Sequence, residues 1–286
     1  MSQSETLVLQ SLANPTVRRL VRLRDNRTRR REKRLLVDGW RESQQAIQAG
    51  LDLIGLYTPE TLDTRETSIP SDHQTDVDDT ASVVLATAQT SGKLRRVSNA
   101  VMKKIAYGDS DRGVVGEFAE PQRRFEDLRL PKAPMLLVLD CIEKPGNIGA
   151  VFRCADAAGV DAVILCGSGS DIYNPNAIRS SLGTVFRIPS VAAATESEVA
   201  KFLISQEIKP FAARVESSSE IWSTDFSGSI AILIGSEANG LGDRWQSFGG
   251  EPVAGVRIPM WGRVDSLNAS VSAAILLYEA RRQRNS

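Results

Sequence analysis

Short, almost unbroken apolar runs alternate with amphipathic stretches along the second half of the chain. MLLVLD (135–140), AVILC (162–166), IAILIG (230–235) and the shorter VRIP (256–259) read as strands. Between and after them, apolar residues recur at helical spacing over 147–158, near 177–182 (leading into VFRIP, 185–189), over 196–205 (before IKPFAAR), and from 268 to about 284. Strands without polar alternation are buried on both faces, as in a parallel sheet sandwiched by helices. Ligands of such sheets bind in the loops beyond the strand C-termini.

The first half is also mixed. Asn14 and Pro15 open a helix to about Arg24, the Asn as cap and the Pro at the first helical position. LLVDG (35–39) reads as a strand, WRESQQAIQAG (40–50) as a helix closed by Gly50, and LDLIGLY (51–57) as a strand. SVVLAT (82–87) is a further apolar run, Ser98 caps a helix through VMKKIAYG, and GVVGEF (113–118) is a closing strand. This pattern predicts a small α/β sandwich over 1–118. Residues 119–133, with Pro121, Pro131 and seven charges, read as a linker to a second domain at 134–286.

Charge changes the picture only when it is located. Lys+Arg and Asp+Glu are 35 each, and the zero net charge by itself speaks against nucleic acid. Yet Arg18 to Arg34 holds nine Arg and one Lys against two acids, a local +8. Residues 60–79 hold seven acids against Arg65, a local −6. Arg29, Arg30, Arg31, Lys33 and Arg34 are therefore candidate phosphate contacts, with a solvated basic face as the alternative. The acidic stretch near 60–80 reads as a flexible insertion. It contains His73, the one histidine, which leaves no His-rich metal site and hardly a His base. Cys141, Cys154 and Cys166 form no CxxC and fit a reducing compartment, the cytoplasm. No secretory signal is visible at the start, and no apolar run reaches the roughly 18 residues of a membrane span.

Three loops at predicted strand ends carry the candidate chemistry. EKPGNIGAVFR (143–153) is a tight turn into a helix that Asn147 could cap, with Arg153 about two turns further on. Its glycines do not make the G-x-G-x-x-G dinucleotide fingerprint. IGSEANGLG (234–242) is a Gly-rich turn in which Glu237 would need a partner if buried. RIPMWGRVDSLNASVSAA (257–274) places Ser266 and Asn268 at the mouth of the last helix, where either could be a plain cap. Each loop alone is ambiguous.

Taken in order, N-x-G-x-x-x-R (147–153), hydrophobic-G-x-E-x-x-G-L (234–241) and I-P-M followed by S-L-N-x-S-V (258–271) resemble the SpoU/TrmH family of SPOUT RNA methyltransferases. Ala269 and Ser272 depart from the usual Val and Ala of that pattern. NPTVRRLVRL, RREKRLLVDGWRESQQAI and VSNAVMKKIA with GVVGEF are similar to the family's small ribosomal-protein-like RNA-binding domain. The resemblance implies a parallel-sheet SPOUT fold whose C-terminal segment threads a deep trefoil knot, otherwise nearly absent from proteins. It implies a homodimer that methylates a ribose 2′-hydroxyl of RNA, ribosomal more often than transfer RNA, with S-adenosylmethionine. Enzymes of thiostrepton resistance share the arrangement. It assigns Arg153, Asn147, Glu237, Ser266 and Asn268 to catalysis, with the exact role of Arg153 open. It assigns Ile234, Gly235, Gly240, Leu241, Ile258, Met260 and Leu267 to the cofactor, and no metal. A non-catalytic RNA-binding or assembly factor on the same fold is the alternative, and a nucleotide-binding oxidoreductase lacks its glycine fingerprint.

Overall fold

The computed structural model describes residues 8–60, 62, 74–108, 112–167, 171–216, 218–248 and 250–284. It divides into two compact units, one of residues up to Gln122 with Tyr173–Arg187, the other of Arg123–Ile172 with Ile188–Ser286.

The first unit is built from α1 (Pro15–Arg22), α2 (Asn26–Glu32), β1 (Arg34–Asp38), α3 (Trp40–Gln48), β2 (Leu53–Pro59), α4 (Gln74–Thr90), β3 (Leu94–Val97), α5 (Asn99–Ile105) and β4 (Val115–Ala119). Asn14 caps α1 by accepting from the Thr16 N–H at 2.8 Å, and Ser98 caps α5 through the Val101 N–H. The sheet order is β1-β4-β2-β3, with β4 antiparallel to both neighbours and β3 parallel to β2. Val17, Leu20, Leu23, Leu36, Val101, Met102 and Ile105 form one buried cluster under α1 and α5. Leu35 and Val37, whose side chains alternate with Leu36, are buried too, so both sheet faces are covered.

The apolar run 82–87 is part of helix α4 and not an extended element. Val84 and Ala88 are buried at i, i+4 spacing while Val83 is exposed, which is helical periodicity in a run too short to show it. Of the acidic insertion, residues 61 and 63–73, with His73, lie outside the described residues, and 74–80 are helical.

The second unit opens with β5 (Met135–Asp140), α6 (Pro145–Ala158) and β6 (Ala162–Cys166). The next two helices, α7 (Pro175–Ser180) and α8 (Thr184–Arg187), belong to the first unit, so that unit is not one continuous stretch, and the start of VFRIP is helical through Arg187. The second unit resumes with β7 (Ser190–Ala194), α9 (Glu196–Ser205), β8 (Lys209–Ala213), β9 (Ser219–Glu220), β10 (Ile230–Ile234), the short hairpin β11 (Ser247–Phe248) and β12 (Glu251–Pro252), β13 (Ala254–Arg257) and α10 (Ala269–Arg284). Its seven-stranded sheet runs β7-β6-β5-β10-β8-β13-β9, and every pairing is parallel. Every residue of β5, β6 and β10 is buried, as unbroken apolar strands require. Leu136, Val138, Ile164, Leu233, Val199, Leu203 and Trp245 share one core cluster. α6 and α10 pack together, and Arg281 of α10 donates to the Ala158 and Gly159 carbonyls that end α6, both at 2.7 Å. From β5 the chain moves outward through β6 and β7, whereas β10 returns on the other side of β5. The C-terminal ends of β5 and β10 therefore flank a topological switch point, where sheets of this kind bind ligands.

Candidate active site at the switch point

The loops after β5, β10 and β13 meet through side chains. Asn147 donates its Nδ2–H to Glu237 Oε1, and Asn268 donates its Nδ2–H to Asn147 Oδ1 at 3.2 Å. One carboxamide thus ties all three motif loops across the β5/β10 crevice. Asn268 Oδ1 accepts in turn from the Ser270 N–H at 2.9 Å and the Ser270 hydroxyl at 2.6 Å. Asn268 therefore serves as helix cap and site link together, and the two readings of it were not exclusive.

Asn147 does not cap its helix. α6 begins at Pro145 after Lys144, and Asn147 is its third residue, inside the first turn. The cap position carries no side-chain hydrogen bond, which leaves the Asn147 side chain free to bridge loops. Glu237 is half-buried, and the partner its charge requires is the Asn147 amide.

The 235–242 loop is shaped by its glycines. Ser236 and Gly240 exchange backbone hydrogen bonds at 3.0 and 2.9 Å, and the Ser236 hydroxyl accepts from the Asn239 N–H. A Cβ on Gly235 would fall inside contact distance of the Gly240 carbonyl and the Leu241 nitrogen, so only glycine fits. Ile234 and Leu241 are buried, Gly240 is exposed, and Ile258, Met260 and Leu267 are half-buried on the third loop.

Arg153 is exposed on α6, and no hydrogen bond or ion pair links its guanidinium to a described residue. Six residues past Asn147, it points about 240° further round the helix. Ser266 is exposed.

The basic segment separates by burial. Arg29 is only 2% exposed and donates to the Leu23 and Arg24 carbonyls at 2.8 and 2.6 Å. Arg34 donates to the fully buried Glu117 at 2.7 Å. The Arg29 guanidinium is therefore closed to phosphate, and that of Arg34, partly open to solvent, is shared with Glu117, whereas Arg30, Arg31 and Lys33 are exposed, with Arg31 pairing loosely with Glu32.

One polar cluster went unread in the sequence. Asp140, buried at the end of β5, accepts from Trp245 Nε1 at 2.9 Å and pairs with Arg244 at 3.1 Å, which also pairs with Glu196 at 3.2 Å. The Arg244 guanidinium reaches the Cys141 and Cys166 sulfurs at 3.4 Å. Burial, with the Asp140 charge nearby, pushes the Cys166 thiol up to about 12. The signal was present: a carboxylate closing an apolar strand demands a partner. Among the described residues no group of three or more His, Cys, Asp or Glu could hold a metal ion, and no helix is long and apolar enough to cross a membrane.

Comparison with known proteins gives this geometry its family. Residues 134–278 match the SpoU rRNA methylase family, and residues 14–116 the MRM3-like substrate binding domain. A 23S rRNA (uridine(2479)-2′-O)-methyltransferase of Streptomyces viridochromogenes is 34% identical over 153 residues, about half the length of either chain. The 23S rRNA (guanosine-2′-O-)-methyltransferase RlmB of Xylella fastidiosa is 33% identical over 199 residues, 67% of this chain and 78% of that one. A crystal structure of an RNA 2′-O ribose methyltransferase is 36% identical with a TM-score of 0.78, over 98% of this chain and 100% of that one. An AdoMet-bound rRNA methyltransferase from Sinorhizobium meliloti superposes with a TM-score of 0.80 at 26% identity, over 96% and 97%. With just over half its length inside the family match, and its three motif loops tied together at the switch point, the chain belongs to the SpoU rRNA methylase family.

Proposed function

We propose that the protein transfers the methyl group of S-adenosylmethionine to a ribose 2′-hydroxyl of ribosomal RNA. The observation that carries this reading is the Glu237–Asn147–Asn268 chain of hydrogen bonds, which unites the three family motifs in one site. The names of the relatives, each an rRNA or RNA 2′-O-methyltransferase, support the substrate class.

The loops fit the cofactor. Ile258, Met260 and Leu267 offer half-buried apolar side chains on the third loop, and Gly235 allows close backbone approach on the second, a combination suited to a flat adenosine held by main-chain groups. When bound, S-adenosylmethionine supplies an electrophilic methyl group on a sulfonium, whose leaving group departs neutral. The protein then has to align a hydroxyl and help it lose a proton. Glu237 orients the Asn147 amide, and Asn147 positions Asn268, so the polar groups facing the ribose are fixed before substrate arrives. Arg153, an obligate cation, holds the RNA phosphate and ribose and stabilises alkoxide charge as it develops. Ser266 lies exposed on the third loop, where it hydrogen-bonds substrate.

The helical phase of Arg153, turned away from Asn147, supports a homodimer in which Arg153 serves the partner's site. Val271 and Tyr278 supply an exposed apolar stripe on α10, seven residues apart and so on one face. The knot implied by the family resemblance, and a cytoplasmic location, belong to the same reading. Incubation of 23S rRNA with labelled S-adenosylmethionine tests it. Wild type should transfer methyl to one ribose, mapped as a 2′-O-methyl position, and Arg153→Ala should lose about 100-fold or more in kcat. Full activity of Arg153→Ala at saturating RNA would remove Arg153 from the mechanism.

A further inference from the structure

We propose that Trp261 is a stacking platform for a base of the substrate RNA, adjoining the nucleotide whose ribose is methylated. This rests on the methyl-transfer reading above. Trp261 is 91% exposed, more than any other large apolar side chain among the described residues. It stands on the third motif loop, one residue beyond Met260 and seven before Asn268. Trp40 and Trp245 are buried, as indoles ordinarily are.

Trp261 lies at the loop-bearing end of the sheet. β13 and β9 are parallel, with Arg257 level with Glu220, so residues that follow them emerge on the edge that carries all three loops. Arg257 and Arg263 are exposed on either side of Trp261, and Arg257 is tethered to Glu220 at 3.1 Å. A bare aromatic plane with an exposed Arg263 two residues further on suits a single strand: the ring meets a base and the cation a phosphate. Stacking a neighbouring base holds a single strand in register for the reacting hydroxyl. A second copy of the chain is the competing occupant. Interface cores are depleted in charge, whereas the exposed run from Trp261 to Ser266 includes Arg263 and Asp265. So charged and exposed a run argues against a second copy, and its place on a motif loop of the methyl-transfer site argues for RNA.

Fluorescence and kinetics test the assignment on the full chain. In a Trp222→Phe variant, Trp261 is the one exposed tryptophan. Its emission should be quenched by a short single-stranded oligouridylate, and far less by the duplex of that strand with oligoadenylate. Trp261→Ala should raise KM for 23S rRNA by about 5- to 150-fold, the range of one lost base stack. Its kcat and S-adenosylmethionine affinity should hold within about threefold, and Trp261→Phe should recover most of the loss. An unquenched Trp261, or an unchanged KM, overturns the proposal. So does a Trp261→Ala variant that changes oligomeric state while keeping its KM, since the indole would then cover a second copy. If wild type methylates no RNA, the methyl-transfer reading fails separately, and the quenching titration still decides Trp261.

Discussion

Arg29 and Arg30 are adjacent and chemically identical, and burial separates what they do. Arg29 lies inside the first unit, its guanidinium spent on the carbonyls where α1 gives way to α2. Its replacement by Ala strands those carbonyls and empties packed volume, at a cost of about 2–3 kcal/mol by urea unfolding. Arg30→Ala and Arg31→Ala should change stability by less than about 0.5 kcal/mol. If they contact phosphate, each should lower the slope of log affinity against log salt by about 1 in RNA binding. A flat salt slope for both would return the segment to a solvated basic face. Gly235 makes a similar point about backbone. A methyl group there meets the Gly240 main chain, so Gly235→Ala must open the loop. Calorimetric titration should show S-adenosylmethionine affinity falling by about 10-fold or more, with the unfolding midpoint of the first unit unmoved.

At the scale of elements, the strands of the second sheet were legible because burial on both faces leaves no polar residue to blur them. β5, β6 and α9 match their sequence-predicted limits, since apolar runs and a Thr195–Glu198 capping box mark them sharply. α4 was not legible: its apolar residues at 82–87 are consecutive, and helical phase emerges only from which of them are buried. β3, reading LRRV, hides its strand character behind two arginines. α6 was misread at its start, because Asn is a common cap and Pro145 two residues earlier took the first helical position. The same misreading concealed what Asn147 does. The three motif loops were legible as chemistry, but their hydrogen bonds join residues 90 and 121 positions apart, which no local pattern reveals. The Asp140–Trp245 bond, across 105 positions, escaped for the same reason. The corrected role has a consequence. Asn147→Ala should leave helix content by circular dichroism unchanged, since no cap is lost. Methyl transfer should nonetheless fall by about 10- to 100-fold, as the loops lose their tie. A drop in helicity matching the drop in activity would restore the cap reading.

Over the whole molecule, a net charge of zero conceals ionisable groups buried on opposite terms, and two of them sit in the first unit. Glu117 is fully buried in β4 and receives hydrogen bonds from Arg19, Arg34 and Tyr57. Burial pushes its carboxyl up, but the bonds and charges of Arg19 and Arg34 outweigh that and hold it below its ordinary 4.5. Such a group stabilises the fold above its ordinary value and loses that contribution as pH falls. Asp38, at the end of β1, has the opposite sign. Burial pushes it up to about 6, against the Tyr107 N–H and the charges of Arg112 and Arg179, with Glu42 adding to the rise. Keeping Asp38 ionised therefore costs stability above about pH 6, by up to about 3 kcal/mol, and the cost vanishes as pH falls toward its ordinary 3.8. Between pH 5 and pH 7.5 Glu117 keeps its charge and its pairing while Asp38 loses its proton, so over that interval the first unit loses stability as pH rises. Urea unfolding followed by hydrogen exchange of β1 and β4 peptides should give a higher midpoint at pH 5 than at pH 7.5. Asp38→Asn keeps an oxygen to accept from Tyr107 and cannot ionise, so it should raise the pH 7.5 midpoint to the pH 5 value. Glu117→Gln should lower the midpoint at both, because Arg19 and Arg34 lose the carboxylate they share. Equal midpoints at pH 5 and pH 7.5 in wild type would mean that Asp38 titrates at its ordinary value, with Arg112 and Arg179 offsetting its burial.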